Sequence, residues 1–202
     1  IRNAYIATFP RYIKDEQLAN FVEKSWGNHR TIIEFIKYAE KNGKRKMAIG
    51  LLSEISDKDL RDVSLAVLKD NLDNSVKGRG DIYNAYVLNP RVSNEMLVPY
   101  KKELSSYFND EIKEDLKKKP QALVDWVKDS IKINDNLNAR SIVMAPTSVL
   151  RHRITDSRSR NIFFVSMARS IGIPSRIDPV TAKVQYLKDN DWIDVKFEEE
   201  MV

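Results

Sequence analysis

The sequence contains no cysteine, and several other chemically useful features are scarce. Without cysteine these residues form no disulfide, no thiolate metal site and no cysteine nucleophile. Only two histidines are present, His29 and His152, and their separation along the chain weighs against a histidine-based metal site. No stretch reaches the roughly 18 consecutive apolar residues that a membrane span requires. Metal-dependent, disulfide-stabilised and membrane-spanning functions are therefore not expected, and no cofactor is predicted.

The chain does have enough apolar sequence for a core, and its positive charge is unevenly placed. Of its 202 residues, 42% are hydrophobic and 31% are charged, with a formal net charge of +5. Residues 140–160 contain five arginines against one aspartate. Such a segment either binds an anionic partner or is a solvated loop. Nucleic acid is not favoured, because no aromatic residues are interleaved with these arginines.

The first 118 residues predict one helix after another. Apolar residues recur at helical spacing, and breakers such as Asn42-Gly43 and Lys77-Gly78-Arg79-Gly80 separate the segments. Lys117-Lys118-Lys119-Pro120 has the composition of a boundary. The sequence therefore predicts a helical extension over residues 1–118 and a second domain over residues 119–202.

Two stretches have less regular patterns. Ser93 has the character of an N-cap and predicts a helix that runs to Tyr107 or Phe108, although Pro99 interrupts its first half. The residues that follow the polar Asn134–Asn138 loop, up to Ile154, show neither a helical nor a strand period. They therefore predict irregular structure.

The helix predicted over Ser157–Ile171 has the clearest pattern in the chain. It is apolar almost all round, which is typical of a helix buried on most sides, and Gly172 ends it. Residues 182–186 and 193–197 alternate between apolar and polar side chains and predict a β-hairpin, with residues 175–178 as a further strand. The predicted fold class is α+β and mostly helical, with an N-terminal helical array before a small antiparallel sheet.

The motif MARSIGIPSRIDP, over Met167–Pro179, resembles the bacterial transglutaminase-like proteins, which share a papain-like core. The resemblance covers roughly residues 120–197. In that family the catalytic site consists of a cysteine at the start of a buried helix, a histidine that leads a strand and an aspartate on another strand. The resemblance implies a bacterial protein, an extracytoplasmic location and a transglutaminase-like core that is truncated at its C-terminal end.

Two of the family's three catalytic positions hold different chemistry in this sequence. The family's cysteine lies twelve residues before the arginine that here is Arg169, and Ser157 occupies that position. Thr181-Ala182-Lys183 stands where the histidine is expected, and Asp194 lies near the position of the aspartate. A serine hydroxyl is far less ionised than a thiol at neutral pH and needs a well-placed base.

These substitutions predict a degenerate transglutaminase-like domain that is catalytically inactive and acts as a binding or structural module of a larger protein. The alternative is an active hydrolase or transferase that uses Ser157 as its nucleophile. Its base is then His152, five residues earlier, or a histidine from beyond Val202 or from another domain. The chain begins at Ile1 rather than Met, which also predicts a fragment with further domains.

The start of the Ser157 helix also predicts a binding site. Helix N-termini attract anions, and Arg153, Arg158 and Arg160 lie around this one together with Asp156. A peptide, a glycan or another anionic molecule is the predicted ligand. The competing interpretation is that Asp156 and nearby carbonyl groups satisfy the arginines internally.

Overall fold

The computed structural model describes residues 14–138, 140 and 142–197. The first part is built from helices joined by short loops. They are α1 (Glu16–Lys24), a 3₁₀ turn (Trp26–Asn28), α2 (His29–Lys41), α3 (Arg45–Glu54), α4 (Asp57–Asp62), α5 (Leu65–Asn74) and α6 (Asp81–Tyr83), which continues as a π-helical turn over Asn84–Leu88. Among the described residues, no helix combines the length and apolar character needed to cross a bilayer.

The second part mixes helices with short strands. Its elements are α7 (Lys101–Ser105), α8 (Asp110–Lys118), α9 (Gln121–Ser130), β1 (Lys132–Ile133), a 3₁₀ turn (Asp135–Asn138), α10 (Pro146–His152), β2 (Ile154–Thr155), α11 (Ser157–Ile171), β3 (Ser175–Ile177), β4 (Val184–Lys188) and β5 (Asp191–Asp194). Strands β1 and β2 pair in parallel, and β3, β4 and β5 form an antiparallel sheet in that order. The predicted α+β, mostly helical class is confirmed.

Two apolar cores divide the described chain. The first joins buried side chains between Leu18 and Leu88, and the second joins those between Tyr100 and Phe197. Helices α7 and α8 therefore pack with the second core, since they lie after Tyr100. The domain boundary expected after residue 118 stays a prediction. It concerns which residues fold independently, and the grouping of buried side chains into two cores does not test that.

Helix α11 lies at the centre of the second core. Side chains around its whole circumference are completely buried, among them Ile162, Phe164, Val165, Ala168 and Ile171. The helix packs against α7, α10, β3 and β4, which together cover its faces. The burial predicted from its apolar pattern is confirmed. Truncation of a fully buried phenylalanine to alanine costs about 3–5 kcal/mol of stability, so this helix contributes heavily to the fold.

The helix predicted to begin at Ser93 is wrong in its first half, because α7 starts only at Lys101. The Glu95 carboxylate accepts hydrogen bonds from the N–H groups of Val92 and Ser93, at 2.7 and 2.8 Å. These bonds fold the segment into a bend. The sequence pattern did not predict this bend, because it depends on hydrogen bonds between the glutamate side chain and the backbone N–H groups, which compete with helix formation.

The start of α7 is capped from another helix. The Asp70 carboxylate, on α5, accepts hydrogen bonds from the N–H groups of Tyr100, Lys101 and Lys102, at 2.9, 2.7 and 3.0 Å. These are groups that a helix start leaves without an intrahelical partner. A side chain of α5, whose apolar residues belong to the first core, therefore caps a helix of the second core.

A buried lysine also joins the two cores. Lys101 is fully buried, and its Nζ donates to the Ser75 hydroxyl at 2.9 Å and to the carbonyl oxygen of Val87. Burial, together with the nearby Arg169 cation, lowers the pKa of Lys101 to about 7, because a charged group loses hydration in the interior. The junction therefore contains a titratable group.

Arg169 of α11 holds the segment that connects the cores. Its buried guanidinium donates to the carbonyl oxygens of Asn89 and Arg91, at 2.9 and 2.8 Å, and to that of Ser175 at 2.9 Å. The same arginine belongs to the motif that carries the family resemblance. Its contacts are structural and link α11 both to the connecting segment and to β3.

The segment from Ile142 to Ile154, predicted to be irregular, contains helix α10 and strand β2. Pro146 begins α10, where its constrained backbone suits the first helical turn. Arg153 ends it with φ = +58°. A helix of seven residues and a two-residue strand are too short to show a period in sequence, and β2 depends on its distant partner β1.

Candidate functional site

An aspartate caps the N-terminal end of α11. The Asp156 carboxylate accepts hydrogen bonds from the N–H group of Ser159 at 2.9 Å and from its hydroxyl at 2.7 Å. Asn138 Nδ2 donates to the same carboxylate at 2.9 Å. Partial burial raises the pKa of Asp156, but these hydrogen bonds outweigh burial and leave it below its usual value. Asp156, predicted as a binding residue, therefore serves as the N-cap of α11.

Ser157, at the predicted nucleophile position, is bound to a second aspartate. Its N–H donates to Asp135 Oδ1 at 2.7 Å, and its hydroxyl donates to Asp135 Oδ2 at 2.9 Å. The β1–β2 pairing brings the two together, since the N–H of Asn134 donates to the carbonyl oxygen of Thr155. Sequence reasoning missed Asp135, because a single aspartate in a polar loop has no distinguishing pattern.

His152, the alternative base, does not contact the Ser157 hydroxyl. It is the last residue of α10, and its side chain is exposed. Within residues 14–138, 140 and 142–197, the hydrogen-bond partner of that hydroxyl is Asp135, and His152 makes no hydrogen bond or ion pair. The structure therefore does not assemble a Ser157–His152 pair.

The other two catalytic positions also make structural contacts. Asp194, on β5, accepts hydrogen bonds from Gln185 Nε2 at 2.8 Å and from Lys183 Nζ. The hydrogen bonds from Gln185 and then Lys183 lower the pKa of Asp194. Thr181, where the histidine is expected, donates its hydroxyl to Asp178 at 2.7 Å in the exposed connection between β3 and β4. Each side chain stabilises the hairpin.

Arg153 lies against aromatic side chains rather than at the start of α11. Its guanidinium carbon is 5.1 Å from the ring centroid of Tyr107 and 5.2 Å from that of Trp126. The guanidinium also donates to the Tyr107 hydroxyl at 2.8 Å. Cations are attracted to the faces of aromatic rings at such distances, so this arginine stabilises the packing of α9 against α10.

Arg160 and Arg158 lie in different surroundings from each other. The Arg160 guanidinium lies 4.3 Å from the ring centroid of Phe197. Arg158 reaches the side-chain oxygen of Asn94 instead. The three arginines expected around one helix end therefore do not share one pocket. Arg158 and Arg160 are two residues apart on α11 and so point to different sides of the helix. Their role in binding stays a prediction.

Arg158 lines a cleft of about 580 Å³ between the two halves of the chain. Its walls come from α4, from the connecting segment and from the residues before α10. The side chains that shape it include Lys58, Asp62, Arg91, Met96, Ile142 and Arg158. Among the described residues no group of three or more His, Asp or Glu side chains is arranged to hold a metal ion. We call this feature the Arg158 cleft.

Most charges in the Arg158 cleft have a charged partner. Arg91 makes a bidentate pair with Asp59, with distances of 2.5 and 2.6 Å. Lys58 lies 3.5 Å from Asp62. Among the described residues, Arg158 hydrogen bonds to a neutral amide instead. Two apolar side chains beside it are exposed, Met96 at 82% and Ile142 at 68%, so a cation and apolar surface lie together. 

Comparison with known proteins agrees with the resemblance carried by the Met167–Pro179 motif. The family model of the Transglutaminase-like superfamily matches residues 103–197. Neither the curated proteins nor the solved structures that were searched contain a significant match to the chain. The matched residues run from α7 to the end of the second core. They include Ser157, Thr181 and Asp194, and the resemblance predicted from the motif is confirmed.

Proposed function

Since residues 103–197 form a transglutaminase-like superfamily domain, we propose that this domain has lost catalysis and acts as a binding module. The chain has no cysteine, so the usual nucleophile of the family is missing. The side chains that occupy the catalytic positions make hydrogen bonds that stabilise helix and hairpin. The fold has thus kept its framework while the reactive groups have changed.

The observation that carries this proposal is the pairing of Ser157 with Asp135. A nucleophilic serine needs a nearby base whose pKa lies close to the working pH. Aspartate is in general a much weaker base than histidine, with reference pKa values of about 3.9 and about 6.5. Asp135 also accepts the backbone N–H of Ser157. The contact therefore completes the helix start in the manner of a cap.

The binding role rests on the Arg158 cleft. A guanidinium forms bidentate hydrogen bonds with a carboxylate, and Arg158 holds only an amide oxygen among the described residues. An apolar side chain next to such a carboxylate would cover Met96 and Ile142 and remove their surface from water. A peptide with an acidic residue beside an apolar one fits this combination. The glycan and the simple anion predicted from sequence become alternatives that the binding test separates.

Turnover assays test the loss of catalysis. The wild type and Ser157→Ala are incubated with amine donors and glutamine-containing peptides, and separately with general peptide substrates. We expect no turnover from either protein. Turnover by the wild type that Ser157→Ala abolishes would overturn the proposal. In that case His152→Ala would identify whether the histidine is the base.

A cysteine introduced at position 157 tests the pairing itself, because the chain has no other thiol. A carboxylate within hydrogen-bond distance disfavours a thiolate, whereas the helix N-terminus favours one. We expect Ser157→Cys to react slowly with iodoacetamide. The double variant Ser157→Cys with Asp135→Asn is expected to react about tenfold faster, which corresponds to about one pKa unit. Equal rates would show that Asp135 does not control this position.

Peptide titration tests the binding role. Short peptides with a glutamate next to a leucine are titrated into the wild type, Arg158→Gln and the control Arg30→Gln, whose side chain is exposed on α2. We expect Arg158→Gln to bind the peptides more weakly than the wild type, and Arg30→Gln to bind them as the wild type does. The affinity of the wild type is expected to fall as the salt concentration rises. An affinity unchanged by this substitution and by salt would exclude the Arg158 cleft. Binding of glycans or simple anions but not peptides would correct the ligand class.

A further inference from the structure

A second cleft, of about 390 Å³, lies in the first half of the chain and is lined by cations. One wall is the beginning of α3, with Lys44 and Lys46, and the other is the Lys77–Gly80 loop, which contributes Arg79. No aspartate or glutamate is among the side chains that line it. We call it the basic cleft. Its size is within the range of small-molecule sites, about 300–1,000 Å³.

The loop that forms one wall has a defined shape. The Tyr83 hydroxyl donates to the carbonyl oxygen of Val76 at 2.6 Å, and a Cβ on Gly78 would overlap the Tyr83 ring. Gly80 has φ = +93°, a conformation that residues with side chains rarely adopt. The loop therefore requires both glycines. Arg79 is held between them at the edge of the cleft.

Two of the three cations have no charged partner among the residues that the structure describes. Lys44 Nζ is bound to Asp73 at 2.7 Å, outside the cleft. Lys46 and Arg79 are exposed, and neither makes an ion pair or hydrogen bond within the part of the chain that the structure describes. Lys77, the first residue of the loop, is exposed and unpaired in the same sense.

Cations that converge on one cleft repel one another, and an anion between them removes that repulsion. Arginine presents a planar fork of donors, and lysine presents a compact point charge. Donors of both kinds line the same cleft, and together they suit a tetrahedral oxyanion whose oxygens point in different directions. The cleft is also larger than a single oxyanion, so it has room for the organic part of a small molecule.

We propose that the basic cleft binds a small molecule that carries a phosphate or sulfate ester. Lys46 and Arg79 bind the oxyanion from opposite walls, and Lys44 adds positive charge beside them. The site lies in the helical half of the chain, apart from Ser157, Asp135 and the Arg158 cleft. The proposal for the basic cleft is therefore independent of the function proposed for the transglutaminase-like domain, and each can be tested without the other.

Nuclear magnetic resonance of the full ¹⁵N-labelled chain tests the proposal, because three glycines line the basic cleft. The probes are inorganic phosphate, inorganic sulfate, glucose 6-phosphate and, as a planar anion, acetate. We expect the amide signals of Gly43, Gly78 and Gly80 to shift with the first three probes and not with acetate. The signal of Gly172, in the second core, is expected to stay in place and reports that the fold is intact.

Variants assign the effect to the cleft. Arg79→Gln and Lys46→Gln are each expected to weaken glucose 6-phosphate binding about tenfold, because each removes a charge-assisted hydrogen bond to the oxyanion. The controls are Arg30→Gln and Lys119→Gln, two exposed cations elsewhere. Stronger binding of phosphate esters than of sulfate would identify the phosphate source, and the reverse order would identify the sulfate source. No glycine shifts, or equal weakening by the controls, would overturn the proposal.

Discussion

The starts of α11 and α3 present the same backbone groups in opposite electrostatic surroundings. At α11 two carboxylates, those of Asp156 and Asp135, accept hydrogen bonds from the first turn. At α3 the N-cap is Lys44, whose side chain makes no capping bond, and the first turn contains no acidic residue. Arg45 and Lys46 follow it, so three cations stand at the positive end of the helix dipole.

The difference shows why a run of arginines does not by itself identify an anion site. The surplus of positive charge in residues 140–160 predicted one at α11. Carboxylates from the preceding residue and from a distant loop already occupy the backbone donors there. At α3 no side chain caps the first turn, and no carboxylate lines the basic cleft. Lys44 and Arg45 pair with carboxylates outside the cleft, and Lys46 makes no ion pair among the described residues. The deciding feature is whether a carboxylate of the same chain already accepts the hydrogen bonds of the N–H groups at the helix start.

The largest effect expected concerns Lys101, the first residue of α7. Its folded pKa, about 7, lies below the ordinary value of 10.5, so the unfolded chain binds more protons between these two pH values. Stability therefore rises with pH across that window, by at most about 5 kcal/mol at about 1.36 kcal/mol per pKa unit. Lys101→Met removes this rise. We expect the variant to be the more stable protein at pH 6, measured by urea unfolding.

The control for this experiment is the pH dependence of the difference between the two proteins, since other groups titrate equally in both. We expect the advantage of Lys101→Met to vanish at pH values above 10. There the neutral lysine keeps its hydrogen bonds to Ser75 and Val87, which methionine cannot make. A difference that stays constant from pH 7 to 10.5 would show that Lys101 does not titrate in this window.

The next largest effect is expected at the start of α7, which differs from both other helix starts because a side chain of another helix, Asp70 of α5, caps it. Asp70→Ala removes the acceptor for three backbone N–H groups of α7. Three lost hydrogen bonds of about 1 kcal/mol each predict a destabilisation of about 3 kcal/mol. Asp73→Ala, on the same helix, breaks a surface pair with Lys44 and an exposed hydrogen bond from the Tyr38 hydroxyl, and is expected to cost only about 1 kcal/mol. Equal losses in urea unfolding would contradict the assigned cap.

At α11 the removal of an acid is expected to destabilise the protein. Asp156→Ala removes the N-cap, which is worth about 1–2 kcal/mol. Thermal unfolding of Asp156→Ala and Asp156→Ser measures the loss, and the serine variant is expected to recover most of it because serine is also a good cap. If alanine and serine behaved alike, the hydrogen bonds to Ser159 would not be the source of stability.

At α3 the addition of an acid is expected to have the opposite and smallest effect. Lys46→Glu places a negative charge in the first turn, where it interacts favourably with the helix dipole and stabilises by about 0.5 kcal/mol. The same substitution is expected to abolish glucose 6-phosphate binding in the basic cleft. Thermal unfolding and the glycine amide titration measure the two effects. A loss of stability would indicate that the start of α3 is satisfied in another way.

Local patterns predicted much of the second half. The Ser157–Ile171 helix and its end at Gly172 agree with the structure, because each depends on side-chain period or on glycine within a short stretch. The hairpin is also present, but its strands lie at Val184–Lys188 and Asp191–Asp194 rather than at residues 182–186 and 193–197. Ile193, an apolar residue of the predicted alternation, is 38% exposed. The prediction of a helix from Ser93 was wrong in its first half, where the Glu95 carboxylate accepts hydrogen bonds from the backbone N–H groups of Val92 and Ser93. Helix α10 was missed because it is short, and β2 because a two-residue strand is defined by its partner.

The candidate site was predictable only in part. Ser157 could be placed from the spacing of a family motif, and its position at the first residue of α11 agrees with that spacing. Asp135 could not be found, since nothing in its neighbours distinguishes it from other loop aspartates. The arginines around residue 157 are close in sequence, yet they have separate neighbours. Arg158 and Arg160 lie on different sides of α11, and Arg153 has a left-handed backbone conformation after α10.

The sequence by itself determined most of the helical segments of the first half, the buried helix and the presence of a hairpin in the second, the resemblance to the transglutaminase-like superfamily and the lack of cysteine. Each of these follows from residue type or from spacing within a few turns of chain. The tertiary structure alone decided which carboxylate binds Ser157, where each arginine lies and which cations line the basic cleft. Those contacts join residues far apart in the chain, and packing between elements sets them, so no local period encodes them.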